Sequence, residues 1–120
     1  MKEKREKMQE KEFFYIGHYY SADGRYILKI GTTDNLDRRQ KEHNRNYAKA
    51  KENGFAEGQS FIYDWFIPLS KYNTLRIEDR TRDSFIASAF GEYIRNDRFA
   101  FAEKPDRIFI EVKKVYEILL

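Results

Sequence analysis

A tyrosine, a lysine and an arginine fall in this chain where one phosphate group could meet all three. Between Phe13 and His43 the sequence runs FFYIGHYYSADGRYILKIGTTDNLDRRQKEH. Two aromatic and β-branched stretches, Phe13 to Tyr20 and Tyr26 to Gly31, flank Ser21-Ala22-Asp23-Gly24. That tetrapeptide suits a type I turn closed by Gly24 in the left-handed region, hence a β-hairpin. With a three-residue loop, positions summing to about 46 stand opposite each other, so Tyr15, Gly17, Tyr19, Ile27, Lys29 and Gly31 share a face. The helix that follows carries Arg38, Arg39 and His43 in its first turns, beside that face. A guanidinium grips a phosphodiester through two parallel bonds. An ammonium supplies a point charge and, with its pKa lowered by a cationic neighbour, helps to activate a tyrosine or a water. Phosphodiester hydrolysis also needs a carboxylate on a rigid element to hold a divalent cation, and Glu78 and Asp79 are the candidates. Each feature also has an ordinary reading. Hairpin Tyr and Lys residues commonly lie on the surface, and Glu78 with Arg82 makes an i,i+4 helix pair.

The elements that must position these groups follow from capping and periodicity. Asp34 or Asn35 caps a helix on which Leu36, Arg39, Gln40, His43 and Tyr47 recur at helical spacing until Gly54 supplies a stop. Its exposed side carries Arg38, Lys41 and Arg45, candidates for contacts to nucleic-acid phosphates, with Lys49 and Lys51. Ser60 to Ile67 (SFIYDWFI) has few polar interruptions and lies between Gly58 and Pro68, which predicts a central strand covered on both faces. Asn73 or Thr74 starts a second helix with an apolar stripe of Leu75, Ile77, Thr81, Phe85, Ile86 and Phe90, and Gly91 ends it. Pro105 and Asp106 open a last segment whose Ile108, Val112, Val115, Ile118 and Leu119 suit a helix, with a short strand over 108–112 as the alternative.

With 120 residues, the chain suffices for one modest core, read as a single domain over residues 13–120 behind a charged extension over residues 1–12 (MKEKREKMQEKE). Ten Phe, nine Tyr and one Trp give that domain enough large apolar side chains to fold without staples. The absence of cysteine excludes disulfides and thiolate metal sites. No apolar run reaches membrane-spanning length, which points to a cytoplasmic protein. A net charge of +3 permits a polyanion partner without requiring one. Several tempting residues read as structural. Trp65 and Phe66 suit a core better than a base-stacking platform. His18 alternates onto the face away from the candidate site. Tyr93, Arg95 and Arg98 fit either a phosphate backbone contact or a solvated loop. Gly31-Thr32-Thr33 lacks the second glycine and the lysine of a nucleotide-binding loop.

The segment resembles the GIY-YIG nuclease family, whose hallmark is two short strand motifs followed by a helix bearing an arginine. Gly17-His18-Tyr19 resembles the first motif and Lys29-Ile30-Gly31 the second. TTDNLDRRQKEH then resembles the helix entry, with Arg39 on the essential arginine and His43 on a polar position one turn later. Ile77-Glu78 with Phe85 and Gly91-Glu92-Tyr93 resembles the downstream pattern of a small branch common in phages and other mobile elements. Lys29 stands where the second motif has a tyrosine, and Phe14-Tyr15-Ile16 competes with Gly17-His18-Tyr19 for the first motif; Tyr19 is preferred, with Tyr15 as its alternative. The resemblance implies an α+β fold with a small three-stranded, largely antiparallel sheet flanked by helices, and hydrolysis of DNA with one Mg²⁺ or Mn²⁺. Tyr19, helped by Lys29, would accept a proton from the attacking water. Arg39 would stabilise charge on the phosphate, His43 would orient the nucleophile or its tyrosine, and Glu78 would hold the metal near the leaving 3′ oxygen. A chain this short has no separate recognition module, so target specificity would need a homodimer or a partner chain. The branch resembled further implies a phage-encoded protein acting in a bacterial host cell. The rival expectation is a nuclease-like fold that binds nucleic acid without cutting it, motivated by Lys29 in place of the family tyrosine.

Overall fold

Gly24 makes the first turn of the fold, with a φ of +84° in the left-handed region that glycine enters without a steric penalty. The Gly24 N–H donates to Ser21 O at 2.9 Å and the Ser21 N–H to Arg25 O at 3.0 Å. This turn joins β1 (Lys11–Tyr20) to β2 (Tyr26–Thr33). Tyr15 stands opposite Gly31, Gly17 opposite Lys29 and Tyr19 opposite Ile27, the expected register. The computed structural model describes residues 11–50, 54–108 and 111–114. Of the charged extension expected over residues 1–12, only Lys11 and Glu12 fall within them, and both belong to β1.

Asn35 starts α1 (Leu36–Lys49), its side chain accepting from the Arg38 N–H at 3.0 Å. The helix stops at Lys49, short of Gly54. Ala50 turns extended there, and Tyr47 O accepts from both Ala50 and Phe55 as the chain doubles back.

β3 (Ile62–Ser70) corrects the expectation of a central strand, because it pairs with β1 alone and forms an edge of the sheet. Its nearly continuous apolar run has another cause. The β1–β3 register shifts between Ile16 and Gly17, which face Trp65 and Tyr63, so Asp64 is an extra residue in β3. Such a bulge reverses the alternation of side chains. Phe61 and Tyr63 therefore pack on one side of the sheet and Trp65, Ile67 and Leu69 on the other. Ile62 and Phe66 stay about half exposed, at 49% and 48%, which corrects the core reading of Phe66.

α2 (Lys71–Ala87) follows β3 directly, ahead of the Asn73 or Thr74 start expected. It ends before Gly91, where Ala89 takes a φ of +54° and the Phe90 N–H returns to Phe85 O at 2.9 Å. Two further strands, β4 (Glu92–Tyr93) and β5 (Arg98–Phe101), complete an α+β fold with a sheet of five strands in the order β3-β1-β2-β5-β4. Every neighbouring pair is antiparallel. The three-stranded expectation falls short because strands of two and four residues carry too little alternation to be read from sequence.

The sheet separates two cores. On one side Ile77 and Phe85 of α2 pack against Phe14, Ile16, Leu28, Ile30 and Phe99. Ile108 and Val112 join them from a final segment that is helical at 108 and 111–114; Val115, Ile118 and Leu119 lie outside the described residues. Phe85 is fully buried against Phe90 and Phe99, with ring centroids 4.7 and 5.3 Å away. Its truncation to alanine should cost about 3–5 kcal/mol. From the expected stripe, Ile77, Thr81, Phe85 and Phe90 are buried and Ile86 is exposed. On the other side Tyr15, Tyr19, Ile27, Tyr47, Phe61 and Ala100 form a second, mainly aromatic core beneath α1.

Candidate active site

The second core carries the candidate chemistry. Tyr15 projects from β1 under α1, fully buried, with its hydroxyl 2.7 Å from His43 Nε2. Arg39, one turn before His43, acts electrostatically on the Tyr15 oxygen. Burial, reinforced by the cations of Arg39, Lys29 and Arg98, lowers the His43 pKa to about 3, so its ring is neutral at neutral pH. Burial likewise pushes the Tyr15 phenol far above its ordinary value, only partly offset by Arg39. Arg39 is held from outside by Glu42, Nη1 to Oε1 at 3.1 Å.

Two glycines make room for this arrangement. A Cβ at Gly31 would lie 2.6 Å from Tyr15 Cζ, and one at Gly17 would lie 2.6 Å from Ile62 O. No side chain fits at either position without movement of the sheet or of the phenol.

Lys29 extends from β2 on the same face, 6% exposed, its Nζ donating to Asn96 O at 2.6 Å. Burial lowers its pKa to about 8; Arg39 and Arg98 add to the shift, while Asp97 and Glu78 oppose it. Glu78 on α2 is partly buried, and the neighbouring Asp97 side chain and Thr32 act on its carboxyl in opposite directions. Burial and the adjoining Asp97 hold the Glu78 carboxyl well above the usual carboxylate range. Asp79, the other acidic candidate, points outward to Arg82 at 3.3 Å with a side chain 63% exposed. Helical spacing thus selects Glu78, since neighbouring residues on a helix diverge by about 100°.

Asp97 and Arg98 arrive from the β4–β5 turn, the feature that the sequence reading missed or left undecided. Asn96 and Asp97 both sit at positive φ, +59° and +55°, and the Ile30 N–H donates to Asp97 O at 3.0 Å, pinning the turn to β2. Two left-handed residues of the Asn/Asp type are the signal that a tight turn leaves in sequence. Nothing in sequence ties that turn to Lys29, 67 residues earlier. Arg98 Nη1 donates to Tyr19 OH at 2.8 Å, and its guanidinium lies over the Tyr47 ring, 5.2 Å from the centroid. Tyr19 itself stacks on Tyr47 at 4.7 Å.

Lys29, Arg39, His43, Tyr47 and residues 96–98 line an open cleft of about 470 Å³. Tyr15 is thus the phenol bonded to His43, in the field of Arg39, and Tyr19 is the phenol that holds Arg98. Arg38, Lys41 and Arg45 are exposed, on the side of α1 turned from this cleft by the helical repeat; Arg38 pairs with Asp34 at 2.5 Å. His18 lies on the opposite face, its Nδ1 2.8 Å from Asp64 Oδ2. Glu78, Asp97 and Thr32 offer hard oxygen donors, the chemistry that Mg²⁺ or Mn²⁺ takes from a protein with water completing the shell. Among the described residues they make a carboxylate pair rather than a cluster of three or more acids or histidines. No described helix is long and apolar enough to cross a membrane.

By fold and site this is a small α+β domain with a cationic cleft built on its first hairpin. The chain belongs to the T5orf172 domain family, a phage-associated, nuclease-like domain whose match spans residues 12–85. That span includes Tyr15, Tyr19, Lys29, Arg39, His43 and Glu78 and ends before Asp97 and Arg98. No curated protein and no solved structure matches the chain significantly.

Proposed function

We propose that this protein is a divalent-metal-dependent DNA endonuclease with a site of GIY-YIG type, encoded by a phage and acting inside its bacterial host. The observation that carries the reading is the convergence of Lys29, Arg39 and His43 on one cleft, with Tyr15 buried behind His43 and with Asp97, which adjoins Glu78, in the cleft wall. In this reading Arg39 grips the scissile phosphate and offsets the charge that gathers on its oxygens as water attacks. Lys29, with a pKa near 8, is neutral in a useful fraction of molecules at pH 7–8 and takes the proton of the attacking water. Tyr15 stays a phenol, because burial disfavours its phenolate, and orients that water by hydrogen bonding while neutral His43 fixes its hydroxyl. Glu78, with Asp97 beside it, would hold Mg²⁺ or Mn²⁺, and the ion when bound supplies positive charge against the leaving oxygen. This moves the role of first tyrosine from Tyr19 to Tyr15, on the strength of the bond to His43.

The test is nicking of supercoiled plasmid with Mg²⁺ and with Mn²⁺, beside Arg39→Ala and Glu78→Ala proteins checked for folding by circular dichroism. Metal-dependent nicking lost in both variants supports the reading. Well-folded wild-type protein that binds DNA and nicks no substrate would overturn it in favour of a nuclease-like binding module.

A further inference from the structure

We propose that Arg98 seats a second backbone phosphate, next to the one gripped by Arg39, so that the cleft holds a nucleic-acid strand by two consecutive phosphates. The inference rests on the nuclease reading of the cleft and adds to it a residue beyond the span of the family match. Arg98 faces Lys29 directly across the β2–β5 ladder. The two are 7% and 6% exposed. Like charges opposite each other in a sheet are destabilising, and burial strengthens their repulsion. Among the described residues no carboxylate lies within 4.0 Å of either cation. Asp97, the acid in the cleft wall, pairs with Arg82 at 3.6 Å. The two cations thus stand side by side, without a direct carboxylate partner, in a cleft that Arg39 also lines.

The Arg98 guanidinium is also held in place. Nη1 donates to Tyr19, Nε donates to Arg95 O at 3.3 Å, and the Tyr47 ring supports its plane. A guanidinium fixed by a phenol and a carbonyl loses little freedom when an anion arrives. Arg98 enters the cleft from β5 and Arg39 from α1, each held by its own partners, Tyr19 and Glu42, which suits two anions along a strand better than one shared ion.

Fluorescence anisotropy of a labelled DNA duplex in EDTA, across a KCl series, tests this without cleavage. Each phosphate contact contributes about 0.9 to the slope of log K against log[salt]. Arg98→Gln should lower the slope by about one, Arg98→Lys should keep it, and Arg39→Gln with Arg98→Gln should lower it by about two. A merely structural role would not move the slope. An unchanged slope in folded Arg98→Gln, beside a reduced one in Arg39→Gln, overturns the proposal and leaves the nuclease reading standing. Should the variants fail to fold, wild-type protein decides: thymidine 3′,5′-bisphosphate should raise the melting temperature well beyond thymidine 5′-monophosphate at equal concentration. Equal shifts overturn the proposal. DNA binding with the expected slopes but no nicking in Mg²⁺ or Mn²⁺ overturns the endonuclease reading and upholds Arg98.

Discussion

Tyr15 and Gly31 face each other across the β1–β2 hairpin, and the phenol fills the space that a side chain at residue 31 would take. Gly31→Ala must therefore displace the ring that touches His43. Overpacking of this kind costs about 1–3 kcal/mol. The variant should melt several degrees lower and lose most of its nicking activity while keeping the circular dichroism of the wild type. Unaltered nicking would separate the phenol from the chemistry.

The two tyrosines make a direct contrast. Tyr15→Phe removes the hydroxyl that bonds His43 and should cut nicking by about 10²-fold, the scale of a misplaced nucleophile. Tyr19→Phe removes the acceptor for Arg98 and should weaken DNA binding while leaving turnover at saturating substrate within a few-fold. Steady-state rates on a defined duplex separate the two. The reverse ranking would restore Tyr19 to the catalytic position.

Lys29 should trade stability for function. Its folded pKa of about 8 lies below the unfolded value of about 10.4, so the folded state disfavours its charge. The stability contributed by the neutral amine is present above the unfolded pKa and lost as pH falls through about 8. Lys29→Met should accordingly be about 1–3 kcal/mol more stable than wild type at pH 7, less so at pH 9.5, and inactive. Urea unfolding at the two pH values checks the difference; a variant no more stable at pH 7 would refute it.

His43 sets the acid limit. Its pKa is lowered to about 3 in the fold, so its contribution to stability is complete above the unfolded value of about 6.5 and declines as pH falls from there toward 3. Between pH 6.5 and 5 the loss should reach roughly 2 kcal/mol. His43→Gln keeps an acceptor for Tyr15 and cannot titrate, so its urea midpoint should fall more gently over that interval. Parallel curves would mean that another group governs acid unfolding.

The hairpin was legible because Gly24 fixes the loop length and the loop length fixes the register, which brings Tyr15, Tyr19 and Lys29 to one face without tertiary information. The choice between the tyrosines was not. They stand two residues apart on that face, and only the seating of α1 decides which meets Arg39 and which meets Arg98. Glu78 could be separated from Asp79 only by the direction of α2. The edge position of β3 was hidden by its bulge at Asp64, which makes a one-sided strand read as continuously apolar. Asp97 and Arg98 reach the site through two strands too short to announce themselves, on a turn whose meaning depends on β2 lying beside it.

The division of the sheet into two cores has a spectroscopic consequence. Trp65, the single tryptophan of the chain, packs against Phe14 on the α2 side, while the cleft lies over the aromatic layer of Tyr15, Tyr19 and Tyr47 on the other. Indole emission will follow the loss of the sheet and stay nearly silent when a ligand enters. Tyrosine signals will respond to the ligand, giving the molecule two separate optical channels, one for its integrity and one for its occupancy.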